Sequence, residues 1–217
     1  MIETGISFDA VHSYNDLNLI LSDSDIPPAN PKTTYVDIPG GDGSLDLTEA
    51  HGEVKYNDRD CKFTFTVSPA ASVTWEEKKT EVSNTLNGKN CKITLDKDGG
   101  YYYLGRCTVD DYLSDKKINQ IVVSAKVKPY KFKQTETSVS FSLSQTQKTV
   151  TVTNGRKVVS PTIVCTNDNT TVIFGSITKT LSAGTHKVLD IRFTEGTNTL
   201  TVSGSGTITF KFQEGDL

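Results

Sequence analysis

The sequence predicts a mainly β protein in two parts, an N-terminal β-domain with one α-helix and a C-terminal β-sandwich or jelly roll. Three observations predict it. Most segments alternate apolar and polar residues with the period of two that places side chains on opposite faces of a strand. One segment alone switches to a helical pattern with a start signal. The composition also breaks near Pro129: all eight tyrosines and the single tryptophan precede residue 131, whereas residues 131–217 hold 19 Thr and 9 Ser among 87 residues. The domains are accordingly drawn at 1–130 and 131–217, within the one or two that 217 residues allow.

In the first part, Leu17, Leu19 and Leu21 alternate with Asn18, Ile20 and Ser22 as in a half-buried strand. Pro27, Pro28 and Pro31 force an extended connection, because proline lacks the donor a central strand needs. Thr33 to Ile38 is β-branched and strand-like, Pro39-Gly40-Gly41-Asp42-Gly43 is a turn, and Ser44-Leu45-Asp46-Leu47 is again strand-like. In 61–67, Phe63, Phe65 and Val67 face one way and Lys62, Thr64 and Thr66 the other. Thr74-Trp75-Glu76-Glu77 then fits a capping box, with Val73 as a hydrophobic staple, and opens a helix over about 74–87. Trp75, Val82 and Leu86 form its apolar stripe, and Gly88 is placed to end it in the left-handed conformation. Strands resume at 92–95, 101–109 and 118–128.

The second part reads as short strands at 137–143, 148–153, 162–166, 170–174, 185–192, 198–202 and 207–213. Asn154-Gly155, Asn167-Asp168-Asn169, Ala183-Gly184, Glu195-Gly196 and Gly204-Ser205-Gly206 supply the turns. Its aromatic residues are six phenylalanines, which mostly fit core-facing strand positions. That leaves no exposed platform of the kind sugar binding usually requires.

Charge and chemistry narrow the function. The net charge is −3, distributed as −6 over residues 1–130 and +3 over 131–217, without the clustered basic face of a nucleic-acid binder. No apolar run reaches the ~18 residues of a membrane span, and the N-terminus does not read as a signal peptide. Cys61, Cys91, Cys107 and Cys165 form no Cys-x-x-Cys pair and read as buried, reduced thiols of a protein assembled in the cytosol. Spacing leaves a Cys61–Cys91 or Cys91–Cys107 disulfide open. His51-Gly52-Glu53 lacks the Pro-Cys-x-x-Cys of a zinc deaminase. Asn57-Asp58-Arg59-Asp60 lacks the oxygen ladder of a calcium loop and reads as a solvated turn. No nucleophile elbow or Cys–His pair stands out, so no catalytic residue, cofactor or metal is expected.

Specific strings then carry a resemblance. Pro39-Gly40-Gly41-Asp42-Gly43-Ser44-Leu45-Asp46-Leu47-Thr48-Glu49, followed by Tyr56-Asn57-Asp58-Arg59 and Phe63-Thr64-Phe65, resembles the N-terminal domain of siphophage distal tail proteins. So does Tyr101-Tyr102-Tyr103-Leu104-Gly105-Arg106-Cys107 with a strand ending in Lys128-Pro129-Tyr130-Lys131, and the end of the chain, 198–212, is similar to that family's second domain. The resemblance implies a non-enzymatic virion tail protein assembled in the bacterial cytoplasm. It implies a hexameric hub ring joining the tail-tube protein to a tail-tip protein, and a galectin-like second domain serving receptor-binding proteins by outward display. A carbohydrate-binding or adhesin-like module and a tail-tube protein are the alternatives. A ring needs contacts between copies that close. The loops carrying Pro27, Pro28 and Pro31, and Pro39, Gly40, Asp42 and Gly43, are the expected intersubunit arms, and plain connecting loops are the competing reading.

Overall fold

The computed structural model describes residues 5–50, 52–69, 71–115 and 118–217. Met1–Thr4 and His51, and with it the His51-Gly52-Glu53 triplet, lie outside the described residues. The chain divides into two compact units, Met1–Lys131 and Phe132–Leu217.

The first unit runs β1 (Ile6–Phe8), β2 (Val11–His12), β3 (Leu19–Asp25), β4 (Tyr35–Asp37), β5 (Ser44–Asp46), β6 (Arg59–Val67), α1 (Trp75–Leu86), β7 (Asn90–Leu95), β8 (Tyr101–Ser114) and β9 (Asn119–Val127). Seven of these strands follow one antiparallel path in the order β2-β1-β7-β8-β9-β6-β3. The alternation in β6 does what its pattern dictates: Cys61, Phe63 and Phe65 are buried and Lys62 is exposed. Phe8 meets Phe63 and Phe65 edge-on at 6.4 and 6.2 Å. Fully burying a side chain of this size contributes about 1.5–3 kcal/mol. From α1, Val82 and Leu86 enter the same core and Trp75 packs against its margin.

The helix begins as its capping box requires. The Glu77 N–H donates to Thr74 Oγ1 at 3.3 Å, and the Thr74 N–H donates to Glu77 Oε2 at 2.9 Å. Gly88, at φ +76°, ends it. The expected staple does not form. The position a staple would meet is Lys78, not an apolar residue, and Val73 is left exposed. Lys78 is itself buried, with its Nζ donating to the Leu17 carbonyl at 2.9 Å and paired with Glu81.

Two further sequence expectations are corrected. Arg59 and Asp60 open β6 instead of forming a solvated turn, and Arg59 is buried. In the second unit, the strand expected at 185–192 is short, and a strand not foreseen precedes it. The order there is β10 (Lys131–Lys133), β11 (Thr137–Leu143), β12 (Lys148–Asn154), β13 (Thr162–Cys165), β14 (Thr170–Phe174), β15 (Ile177–Leu181), β16 (Gly184–Lys187), β17 (Gly196–Ser203), β18 (Gly206–Phe212) and β19 (Gly215–Asp216). The unforeseen strand before β16 is β15, and β10 and β19 also lie outside the predicted strands. The inward pattern of β15, Ile177-x-Lys179-x-Leu181, is interrupted by a lysine that reaches Asp190 at 2.7 Å.

Two four-stranded antiparallel sheets, β11-β18-β13-β16 and β12-β17-β14-β15, share one core and make the β-sandwich. Phe193 stands at its centre, 5.9 Å from Phe210 and 5.4 Å from Phe212. Threonines of β12 and β17 occupy the other face. Thr149 lies opposite Thr201 and Thr151 opposite Thr199, between rows of buried valine and leucine. Threonine suits this position because a β-branched hydroxyl side chain favours the pleat and remains solvated.

Candidate functional site

Between β3 and β6 the chain leaves the sheet and forms an arm. Its root is pinned by paired backbone bonds, from the Lys32 N–H to the Lys55 carbonyl at 2.7 Å and from the Asn57 N–H to the Asn30 carbonyl at 2.8 Å. Beyond the root, β4 and β5 pair only with each other, with Tyr35 opposite Asp46, Val36 opposite Leu45 and Asp37 opposite Ser44. The Leu47 N–H extends the ladder to the Thr34 carbonyl at 2.8 Å. From residue 31 to residue 50, every residue is exposed except Thr48, which is half-buried.

Register gives this hairpin two unlike faces. Residues directly opposite one another share a face, and successive residues alternate. Val36 therefore lies with Leu45, flanked by Ile38 and Leu47, while Tyr35 and Asp37 lie with Asp46 and Ser44. The apolar face is uncovered: Val36, Ile38 and Leu45 are each about half exposed, at 47, 53 and 50%. On the polar face, the Thr48 hydroxyl and the Thr48 N–H (2.9 Å) bond Asp46 and hold its carboxyl below the usual carboxylate range. The arm from 31 to 50 carries four acids against Lys32.

The seven loop residues singled out from sequence divide between the ends of this arm. Pro39, Gly40, Asp42 and Gly43 form its tip, where Gly40 and Gly43 adopt φ of +79° and +73°, which a Cβ would strain. Pro27, Pro28 and Pro31 belong to the root. Pro31 bridges to Tyr56, and the Pro27 carbonyl accepts from Arg59 Nη1 at 3.4 Å. Arg59 also donates from Nε at 2.8 Å, and from Nη2, to the Pro129 carbonyl, with its guanidinium 5.8 Å from the centre of the Tyr103 ring. A single buried cation thus fastens the root of the arm to the last turn of the domain. Sequence reasoning missed Arg59 and the apolar face. The face was signalled by the alternation of Thr34, Val36 and Ile38 and of Leu45 and Leu47.

The described residues carry further titratable side chains outside the arm. None of their His, Cys, Asp and Glu side chains gather in threes able to hold a metal. The four cysteines are free and buried. Cys91 and Cys107, the pairing that spacing left open, are thiols in contact at 3.3 Å. Burial pushes the Cys61 thiol up to about 11. Cys107, which hydrogen-bonds the Cys91 sulfur in a buried site, is raised as well.

No family model matches the chain, and no curated protein matches it. Among solved structures it is similar to the crystal structure of the Dit protein of phage SPP1, described as a paradigm of the hub adsorption apparatus in phages infecting Gram-positive bacteria. The TM-score is 0.72, over 97% of this chain and 98% of that one, at 13% identity. The chain has the distal tail protein fold. At this identity the agreement is one of architecture. The Dit fold therefore accounts for both units together, as the order of motifs along the sequence implied.

Proposed function

We propose that this chain is a structural virion protein, the hub at the distal tip of a long non-contractile phage tail. About six copies of residues 1–130 close into a ring through heterologous contacts. The ring joins the tail-tube protein to the tail-tip protein, and residues 131–217 offer an attachment surface to host-adsorption proteins. It acts by assembly and without catalysis, in the virion tail, after assembly in the bacterial cytoplasm. The hub role described for the SPP1 protein is carried over to a chain of the same fold.

The observation that carries this reading is the arm. A two-stranded hairpin alone is marginal in water, and this one holds Val36, Ile38, Leu45 and Leu47 toward solvent. Such a face is explained by a partner that covers it. An enzyme would need convergent polar chemistry instead, and a sugar-binding sandwich an aromatic platform. In the second unit, Phe193, Phe210 and Phe212 are buried and Phe141 and Phe174 pack against the core.

Native mass spectrometry and light scattering test the proposal. The wild-type chain should form rings of about six copies, on its own at high concentration or with its tail partners, and Leu45→Asp should remain monomeric with its fold intact. A chain that stays monomeric under all these conditions, or one that stacks into long tubes, would overturn it.

A further inference from the structure

We propose that the apolar face of the arm docks into a hollow beside the start of α1 on a second copy of this chain. This rests on the hub reading, in which the arm lies between copies, and adds the surface that receives it. Among the described residues of the first unit, the exposed large apolar side chains fall in two places. One is the arm, with Tyr35, Val36, Ile38, Leu45 and Leu47. The other surrounds the start of α1 and the far end of the β8–β9 hairpin, with Val73, Leu113 and Ile118.

The second place is concave. A hollow of about 370 Å³ is lined by the apolar Val67, Val73, Trp75 and Ile118 and by polar groups that include Lys78 and Asn119. Val73 and Ile118 are 47 and 52% exposed on its margin. Val73 is free to serve there because it has no apolar staple partner within its own helix. The unit's larger hollow, about 590 Å³, has none of the exposed large apolar side chains among its lining residues. Asp58, Asp60, Arg106, Asp110, Lys126 and Lys128 are among its lining residues.

The arm does not lie on its own chain's hollow, since its apolar side chains remain exposed. Two unlike patches on one chain define a heterologous contact: the arm of one copy meets the hollow of the next, and the pattern repeats until it closes. Contact between the apolar face of the arm and the exposed Val73 and Ile118 of the hollow would bury aliphatic area, which drives association without directional partners.

Cysteine trapping tests the contact. The four native thiols are buried and give little background. The double variant Val36→Cys/Ile118→Cys, oxidised in its assembled state with tail partners present if they are needed, should yield a ladder of linked chains on a non-reducing gel. A mixture of the two single variants should yield dimers linking one to the other. Rings that form without this crosslink would overturn the docking site while leaving the hub reading intact. Dimers from Val36→Cys alone would place arm against arm and also overturn it. Failure of the wild-type chain to assemble at all would bring down the hub reading and the docking site with it. Ile118→Asp is a second arm of the test. It should weaken assembly at least tenfold without changing the melting temperature, and unchanged assembly would contradict the proposal.

Discussion

Arg59 shows how one side chain organises its surroundings. It is 6% exposed, and its guanidinium hydrogens go to two proline carbonyls that lie 102 positions apart in sequence, at Pro27 and Pro129. Proline has no N–H to offer, so its carbonyl is its whole hydrogen-bonding contribution to the fold. Removing the cation leaves those carbonyls unsatisfied. Arg59→Ala should destabilise the protein by about 3 kcal/mol. Arg59→Lys, which keeps the charge and loses the planar fork, should recover only part of that in chemical denaturation. Thr74 is a second such residue. Thr74→Ala should cost about 1 kcal/mol through the lost cap. Its hydrogen bonds also hold the Glu77 carboxyl below its ordinary value, the backbone N–H contributing most and the hydroxyl next. A carboxylate depressed in the folded state contributes stability that is present above its unfolded pKa and lost as pH falls through the folded value. Thr74→Ala removes the hydroxyl and keeps the backbone N–H, so the Glu77 titration, followed by NMR, should move up only part of the way toward the ordinary glutamate range, and the acid side of the stability curve should flatten only in part.

At the scale of elements, what could be read from sequence follows from how self-contained each signal is. The capping box, the stripe of Trp75, Val82 and Leu86, and Gly88 together specify α1 without reference to the rest of the chain. The Phe63-Thr64-Phe65 alternation likewise needs only a core on one side. Lys78 was not legible, because a lysine is buried only where a carbonyl such as that of Leu17 happens to meet it, and that is a tertiary fact. The strand β15 was obscured by Lys179 at a position where the pattern calls for an apolar residue. The arm was half legible. Its turn and flanking strands were visible, but Pro31, Pro39 and the glycines read equally as a connecting loop, and nothing in sequence says whether an alternating face is covered. Because the arm touches no core, its substitutions separate stability from assembly. Leu45→Asp or Ile38→Asp should shift unfolding free energy by no more than about 0.5 kcal/mol while abolishing self-association.

For the whole molecule, the two units carry separate cores, one around Phe63, Phe65 and Ile121 and the other around Phe193, Phe210 and Leu200. Residues 132–217 expressed alone should fold, with a cooperative melting transition and a β-type circular dichroism spectrum, because their sandwich contains its own two sheets. The buried thiols set a check on the whole as well. All four should resist alkylation at neutral pH in the native protein because all are buried, with Cys61, Cys91 and Cys107 reacting when the first unit unfolds and Cys165 when the second does. The central claim concerns place in a larger particle. Labelling purified virions with an antibody against residues 132–217 and viewing them by negative-stain electron microscopy tests it most directly. Label should be confined to the distal end of the tail; label along the length of the tube, or on no particle, would overturn the hub role.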